Sequence, residues 1–190
     1  MPQDATEIPF DLAYLFESVQ INTEELRKIE FTEMPEWIAA LVKSFHKENY
    51  CHYNSMSLVN SLINSIPVSQ SELSTGIKYV VGYLVGLDIA EHAFVKIGSS
   101  YYDPTLSLRL TADLDVYALA EISAGDMSSM LDKYQMHDHG LLMMNLRRDR
   151  EFSHLFVEPA DLMLKTMKRS LEIFNEQQLN ANIHSTLEKT

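Results

Sequence analysis

Residues 77–105 read IKYVVGYLVGLDIAEHAFVKIGSSYYDPT, and their pattern indicates β-strands. The segment from Ile77 to Gly86 is rich in β-branched and aromatic side chains, which is typical of a strand. A second strand is predicted from His92 to Ile97. The short turn after Gly98 leads into a third strand, Tyr101 to Asp103. We therefore expect antiparallel strands in which the chain folds back on itself.

Helical periodicity precedes these strands. A first helix is predicted around Leu12 to Val19, within a region of about fifty residues that all looks helical. A second begins near Pro35, because proline is favourable at an early helical position. A third begins at or just before Cys51, and Pro67 is expected to stop it.

Further elements are predicted after the strands. The segment Val116 to Ile122 is a candidate strand, and Ala124 to Tyr134 looks helical. The apolar run Leu141 to Met144 is predicted to be a buried strand. An amphipathic helix is predicted from Glu158 to Gln177, with a polar tail beyond Asn180. The apolar anchors of that helix would be Leu162, Leu164, Met167, Leu171 and Phe174.

The order of helices, a short antiparallel sheet and more helices predicts an α+β fold. A chain of 190 residues fits a single domain, 1–190. We expect its core at about 33–125, N-terminal helices within 10–47, a C-terminal helical region over 124–178 and the polar tail at 180–190. The hydrophobic content of 46% supplies enough apolar side chains for a sizeable core.

The net charge of the chain limits the classes of partner that it is expected to bind. Twenty-seven acidic side chains stand against fifteen basic ones, for a formal net charge of −12. Such a surface repels phosphate backbones and anionic lipid, so we expect neither nucleic acid nor a membrane as the main partner. The N-terminal residues MPQDATEIPF lack a basic leader and an apolar core, and no apolar stretch reaches the ~20 residues of a spanning helix. The sequence predicts a cytoplasmic protein.

Cys51 is the single cysteine. One thiol forms no intramolecular disulfide and no zinc site built on several thiolates, and no cofactor is expected. His137-Asp138-His139 has a spacing that metal sites use, but no third ligand stands at a recognisable spacing. A solvated loop is the favoured interpretation, so no metal is predicted.

Cys51, His92 and Asp103 together indicate nucleophilic catalysis. A thiol at a helix start meets the positive end of the helix dipole, which stabilises thiolate, and free backbone N–H groups there can bind an oxyanion. His92 opens a strand, where a base is rigidly placed. Antiparallel pairing brings Asp103 within reach of His92, whose tautomer it would fix. Each residue alone has an ordinary structural explanation, so the prediction depends on their order and placement.

Residues 50 to 105 resemble the core of the papain-like/transglutaminase-like superfamily. The stretches Glu91-His92-Ala93-Phe94-Val95 and Tyr101-Tyr102-Asp103-Pro104-Thr105 are similar to its "His-Ala-Trp-Val … Tyr-Asp-Pro-Thr" block. The segment Tyr50-Cys51-His52-Tyr53-Asn54-Ser55 resembles the nucleophile region of small bacterial and phage relatives. The resemblance implies a short antiparallel sheet packed on a helix that bears the nucleophile, with flanking helices at both ends.

The resemblance also implies roles: Cys51 as nucleophile, His92 as general base and Asp103 as the orienting acid. The substrate would be a peptide, a protein or a small amide, and peptidase, amidase or other hydrolase, deamidase and transglutaminase activities all stay open. The alternative is a catalytically inert member of the fold that acts as a protein-binding module or a bacterial or phage effector. Candidates for the cleft or for an oxyanion donor are Asn49, Asn54, His52, Tyr53 and Glu91. Of these, His52 is expected to form a wall of the cleft, and Glu91 to be an exposed charge on the opposite strand face.

Overall fold

The computed structural model describes residues 10–66, 75–106, 111 and 113–161, together with 163, 164, 167 and 168. Five helices and five strands organise these residues, with short 3-10 turns at Thr23–Glu25 and Arg150–Leu155. The helices are α1 (Phe10–Ser18), α2 (Glu36–Lys43), α3 (Cys51–Ser65), α4 (Ala124–Tyr134) and α5 (Met143–Arg148). The strands are β1 (Arg27–Ile29), β2 (Ile77–Val85), β3 (Ile89–Ile97), β4 (Ser100–Tyr102) and β5 (Asp115–Ser123).

The strands form one antiparallel sheet in the order β1-β5-β2-β3-β4. β2 and β3 pair along their whole length, from Ile77 opposite Ile97 to Val85 opposite Ile89. Gly98, with φ of +62°, allows the tight turn from β3 into β4. The fold is thus α+β, and the predicted antiparallel strands are confirmed.

The two faces of the sheet follow the alternation of side chains along each strand. Tyr79, Val81 and Tyr83 of β2 belong to the main core, to which α3 also contributes. Val80 and Phe94 lie in a smaller apolar cluster on the other face. α3 thus covers one face of the central strands.

Gly82 lies at an irregularity of the β2–β5 pairing, directly opposite His92 on β3. A Cβ there would lie 2.0 Å from the carbonyl oxygen of Tyr117 and 3.1 Å from the ring of Phe94. Glycine is therefore required where the strands approach closely beneath His92.

The start of α3 is fastened to the turn that follows β4. The Asn54 side chain accepts the Lys47 N–H at 2.9 Å and donates to the Lys47 carbonyl at 2.8 Å. The same amide nitrogen donates to Thr105 Oγ1 at 3.0 Å. Because Asn54 is fully buried, these bonds fix the first turn of α3, which begins at Cys51 as predicted, against the loop after β4.

The N-terminal region differs from the prediction. β1 lies among the first fifty residues, which were expected to be helical, and Arg27 pairs with Ala118 of β5. Phe16 and Ile21, which precede β1, are fully buried in the main core. A three-residue strand has no periodicity that could distinguish it from a loop, and its partner strand lies far along the chain.

The prediction of a strand over Leu141 to Met144 is wrong. Leu141 is buried, but α5 begins at Met143, where the Asn145 side chain accepts the Leu142 N–H at 2.9 Å. A short apolar run does not distinguish a strand from a buried helix, and here this local hydrogen bond favours the helix.

The predicted C-terminal helix is described only in part. Residues 159–161 are helical, and two of the expected anchors, Leu164 and Met167, are 57% and 56% exposed. Their role as buried anchors is therefore wrong. The other anchors, the polar tail and the expected stop at Pro67 lie outside the described residues.

His137-Asp138-His139 forms an exposed turn in which His137 lies 3.3 Å from Asp132. The described residues contain no group of three or more acidic, histidine or cysteine side chains arranged to hold a metal. No helix in the described part of the chain has the length and apolar character to cross a bilayer.

Candidate active site

His92 and Asp103 form a buried pair at the edge of the sheet. His92 Nε2 lies 2.7 Å from Asp103 Oδ2, and both side chains are almost fully buried. Asp103 Oδ1 accepts the backbone N–H groups of Thr105 at 2.8 Å and Leu106 at 3.0 Å. Aspartate commonly closes such a turn with its own side chain. The turn therefore holds one carboxylate oxygen and directs the other at the imidazole.

Aromatic packing fixes the His92 ring. Its centroid lies 6.3 Å from that of Phe94, with 27° between the ring planes. Phe94 in turn meets the rings of Phe31 and Tyr101 edge to face. Packing on a rigid strand limits the rotation of His92 and keeps its free ring nitrogen in place.

Cys51 is the first residue of α3 and is partly buried. The preceding residue, Tyr50, makes no side-chain capping hydrogen bond. Among the described residues, no acceptor contacts the backbone N–H groups of Cys51, His52 or Tyr53. The thiol therefore lies beside uncapped donors at the positive end of a fifteen-residue helix.

Two imidazoles lie close enough to stabilise the thiolate. Burial raises the pKa of Cys51, but the neighbouring imidazoles of His52 and His92 outweigh it and lower that pKa to about 6. Burial lowers the pKa of each histidine, but their carboxylate partners and the thiolate outweigh it and raise each pKa to about 9. Near neutral pH the group is a thiolate beside two imidazolium ions.

His52 belongs to a second histidine–carboxylate pair. His52 Nε2 lies 3.1 Å from Glu91 Oε1. Its Nδ1 lies 2.5 Å from the Leu141 carbonyl oxygen and 2.8 Å from the Tyr79 hydroxyl. Glu91 Oε1 also accepts the Met143 N–H at 2.6 Å, at the start of α5.

This second pair adds to two expectations. His52, which was expected to form a wall of the cleft, is buried and has a partner at each ring nitrogen. Glu91 is exposed, as expected, but its carboxylate is bound on two sides. Glu91 does lie on the strand face opposite His92, but α3 covers that face and brings His52 to it. Strand alternation places Glu91 opposite His92, but the sequence carried no signal for the face that α3 covers, so the pair could not be predicted.

The remaining candidates are not brought into the same group. Asn49 is exposed and adopts a left-handed backbone with φ of 63°. The amide of Asn54 makes its three bonds to Lys47 and Thr105, which leaves it no N–H for an oxyanion. The Tyr53 ring lies under the ammonium of Lys47, 3.6 Å from ring centroid to Nζ. Backbone N–H groups are therefore the better oxyanion donors.

A cavity of about 460 Å³ adjoins the Asp103 side of the site. The turn after β4 forms one wall of the cavity and α2 the other. Its lining residues include Met34, Val42, His46, Asp103 and Leu106. An opening with both apolar and polar walls therefore lies next to the buried pair.

Compared with protein families, with curated proteins and with solved structures, the chain matches none.

Proposed function

We propose that this protein is a cysteine-dependent acyl-transfer enzyme in which Cys51 is the nucleophile, His92 the general base and acid, and Asp103 the orienting carboxylate. The observation that carries the proposal is the buried His92–Asp103 pair beside a thiol at a helix start. Papain-like and transglutaminase-like proteins, which residues 50 to 105 resemble, follow the same order. The substrate would be a peptide, a protein or a small amide, met in the cytoplasm.

The hydrogen bonds of His92 support its role. Its Nε2–H donates to the Asp103 carboxylate, which only accepts when ionised. Nδ1 is then the ring nitrogen that exchanges a proton with the thiol. Asp103 holds the tautomer and stabilises the imidazolium, while Oδ1 stays bound to the backbone.

The chemistry takes two steps. The Cys51 sulfur attacks the carbonyl carbon, a C–S bond forms, and the carbonyl π pair moves onto oxygen. The tetrahedral intermediate collapses as the C–N or C–O bond breaks, and His92 gives its proton to the leaving group. Water or an amine then attacks the thioester, gives its proton to His92 and releases the thiolate.

The uncapped end of α3 supports stabilisation of the oxyanion. The N–H groups of Cys51 and His52 point out of the helix end with no acceptor among the described residues. Preorganised backbone donors of this kind lower the barrier for charge that develops on a carbonyl oxygen. No side-chain amide is needed for this role.

An activated ester tests the proposal without knowledge of the natural substrate. With p-nitrophenyl acetate we expect a burst of p-nitrophenolate and an acetyl thioester on Cys51, located by peptide mass spectrometry and released by hydroxylamine. Both Cys51→Ala and His92→Gln should abolish the burst while circular dichroism shows a retained fold. The control His137→Gln, an exposed histidine outside the site, should behave as wild type.

An acetyl group found elsewhere on the chain, or a burst that survives Cys51→Ala, would overturn the proposal. A folded wild-type protein that never acylates would favour the inert binding module instead.

A further inference from the structure

We propose that His52, held by Glu91 and by the carbonyl of Leu141, is a fixed cation that stabilises the Cys51 thiolate and never transfers a proton. This inference rests on the proposed function, because it assigns a further role at the same site. The two imidazoles would then have different roles: His92 transfers the proton, and His52 supplies only positive charge.

The surroundings of His52 Nδ1 require a hydrogen on that nitrogen. The nearest atom, at 2.5 Å, is the Leu141 carbonyl oxygen, which only accepts. The Tyr79 hydroxyl, 2.8 Å from Nδ1, donates its own hydrogen to the same carbonyl at 2.7 Å. The hydroxyl therefore turns a lone pair, not a hydrogen, towards the ring.

The surroundings of Nε2 require a second hydrogen. Glu91 Oε1 lies 3.1 Å away, and that oxygen already accepts the Met143 N–H. Burial raises the pKa of Glu91, but the bonds from His52 and Met143 outweigh it and hold that pKa below its ordinary value. Glu91 is thus an ionised acceptor, and both His52 nitrogens donate.

A ring that donates from both nitrogens has no lone pair left for a proton. His52 therefore does not serve as the general base, although it adjoins the nucleophile in sequence. His92 differs, because Asp103 occupies only one of its nitrogens. Removal of the proton from His52 would leave either the Leu141 carbonyl or the Glu91 carboxylate facing a lone pair, at a buried site.

The charged and titratable groups around His52 agree with a permanent cation. On its own helix the neighbour is the Cys51 thiolate, and on β3 it is Glu91. On β2 it is Tyr79, whose pKa burial raises well above the ordinary value, so the hydroxyl stays neutral. On α5 the guanidinium of Arg147 acts on Glu91 and favours its ionised form. Both anionic neighbours of His52, the Cys51 thiolate and the Glu91 carboxylate, favour its charged form.

Gly140 lets the segment of residues 140–143 reach the first turn of α3. It has φ of +77°, and a Cβ there would lie 2.4 Å from the His52 carbonyl oxygen. Because no side chain intervenes, Leu141 presents its carbonyl to the His52 ring, and Met143 presents its N–H to Glu91. The segment thus supplies a bond to each member of the pair.

The test is the pH dependence of Cys51 alkylation by iodoacetamide in wild type, His52→Gln and Glu91→Gln. We expect His52→Gln to shift the midpoint upward by about one pKa unit or more, which lowers the rate at pH 6 by about fivefold or more. Glu91→Gln, at a partly exposed position, should shift the alkylation midpoint in the same direction by a smaller amount. This second variant tests the inference if His52→Gln fails to fold.

The matched control is Asp132→Asn, which removes the carboxylate of an exposed pair with His137 far from the thiol in sequence. It should leave the alkylation profile unchanged. An unshifted midpoint in both folded site variants would overturn the inference on His52 and leave the proposed function intact. An ordinary thiol midpoint in wild type would instead contradict the proposed function itself.

Discussion

The two histidine–carboxylate pairs beside Cys51 have the same chemical groups but differ in the groups that their ring nitrogens face. His92 uses one ring nitrogen on Asp103 and keeps the other for the thiol. His52 has an acceptor at both nitrogens, Glu91 on one side and the Leu141 carbonyl on the other. The acceptors at the two ring nitrogens therefore decide which imidazole can act as a base.

The pairs also differ in how they are held. Asp103 is fixed by the backbone of its own turn, through the N–H groups of Thr105 and Leu106. Glu91 is fixed by the N–H of Met143, which lies far along the chain. One pair is therefore built locally, and the other depends on the tertiary contact made by the segment that begins at Gly140.

The largest effect is expected from Asp103→Asn, which breaks the first pair and leaves the second intact. The amide oxygen can still accept the turn N–H groups, but its NH₂ would face His92 Nε2 and force the hydrogen onto Nδ1. His92 then has no lone pair for the thiol proton. We expect acyl-enzyme turnover to fall by about 10²–10⁴-fold with the fold retained.

Burst kinetics with p-nitrophenyl acetate measure this loss, and Asp132→Asn is the matched control. A variant with near wild-type turnover would show that Asp103 does not orient His92.

An intermediate effect is expected in the pH dependence of stability. Between about pH 6.5 and 9 the unfolded chain has released both histidine protons and kept the thiol proton. The folded chain keeps both imidazolium protons and has lost the thiol proton, so it binds one proton more. The free energy of unfolding should therefore fall as pH rises, by at most about 1.4 kcal/mol per pH unit.

Urea titrations at several pH values check this slope. In His52→Gln the thiol midpoint is raised, and above that midpoint the folded and unfolded states bind equal numbers of site protons, so the contribution of the site should become flat there. A free energy of unfolding that rises with pH in wild type would contradict this prediction. A pH dependence that His52→Gln leaves unchanged would contradict it as well.

The smallest effect is expected from Tyr79→Phe. This variant removes a hydroxyl but no charge, and so separates the effect of the Tyr79 hydroxyl from that of the His52 cation. The Leu141 carbonyl keeps its bond from His52, so no buried acceptor is left unpaired. We expect a loss of about 1 kcal/mol in the free energy of unfolding and an unchanged alkylation profile. A raised thiol midpoint in this variant would mean that the hydroxyl, and not the cation, stabilises the thiolate.

The sequence was most informative where structure is local. The start of α3 at Cys51, the helix Ala124–Tyr134 and the strands around His92 were predicted because periodicity and turn residues lie within a few positions of one another. The order of Cys51, His92 and Asp103 followed from the same patterns. Their roles remain a proposal.

The features that the sequence did not predict, β1 and the His52–Glu91 pair, depend on long-range contacts. β1 is three residues long and exists through its pairing with β5. The His52–Glu91 pair depends on Leu141 and Met143, in a segment that was predicted to be a strand. His52 was expected only to form a wall of the cleft, because the sequence did not show which face of the sheet α3 covers.

The most direct test of the central claim is an ultraviolet titration of the Cys51 thiolate, taken as the difference between wild type and Cys51→Ser. We expect a midpoint near pH 6, with about nine-tenths of the thiol ionised at pH 7. A midpoint of about 8.5, the range of an ordinary free thiol, would contradict it.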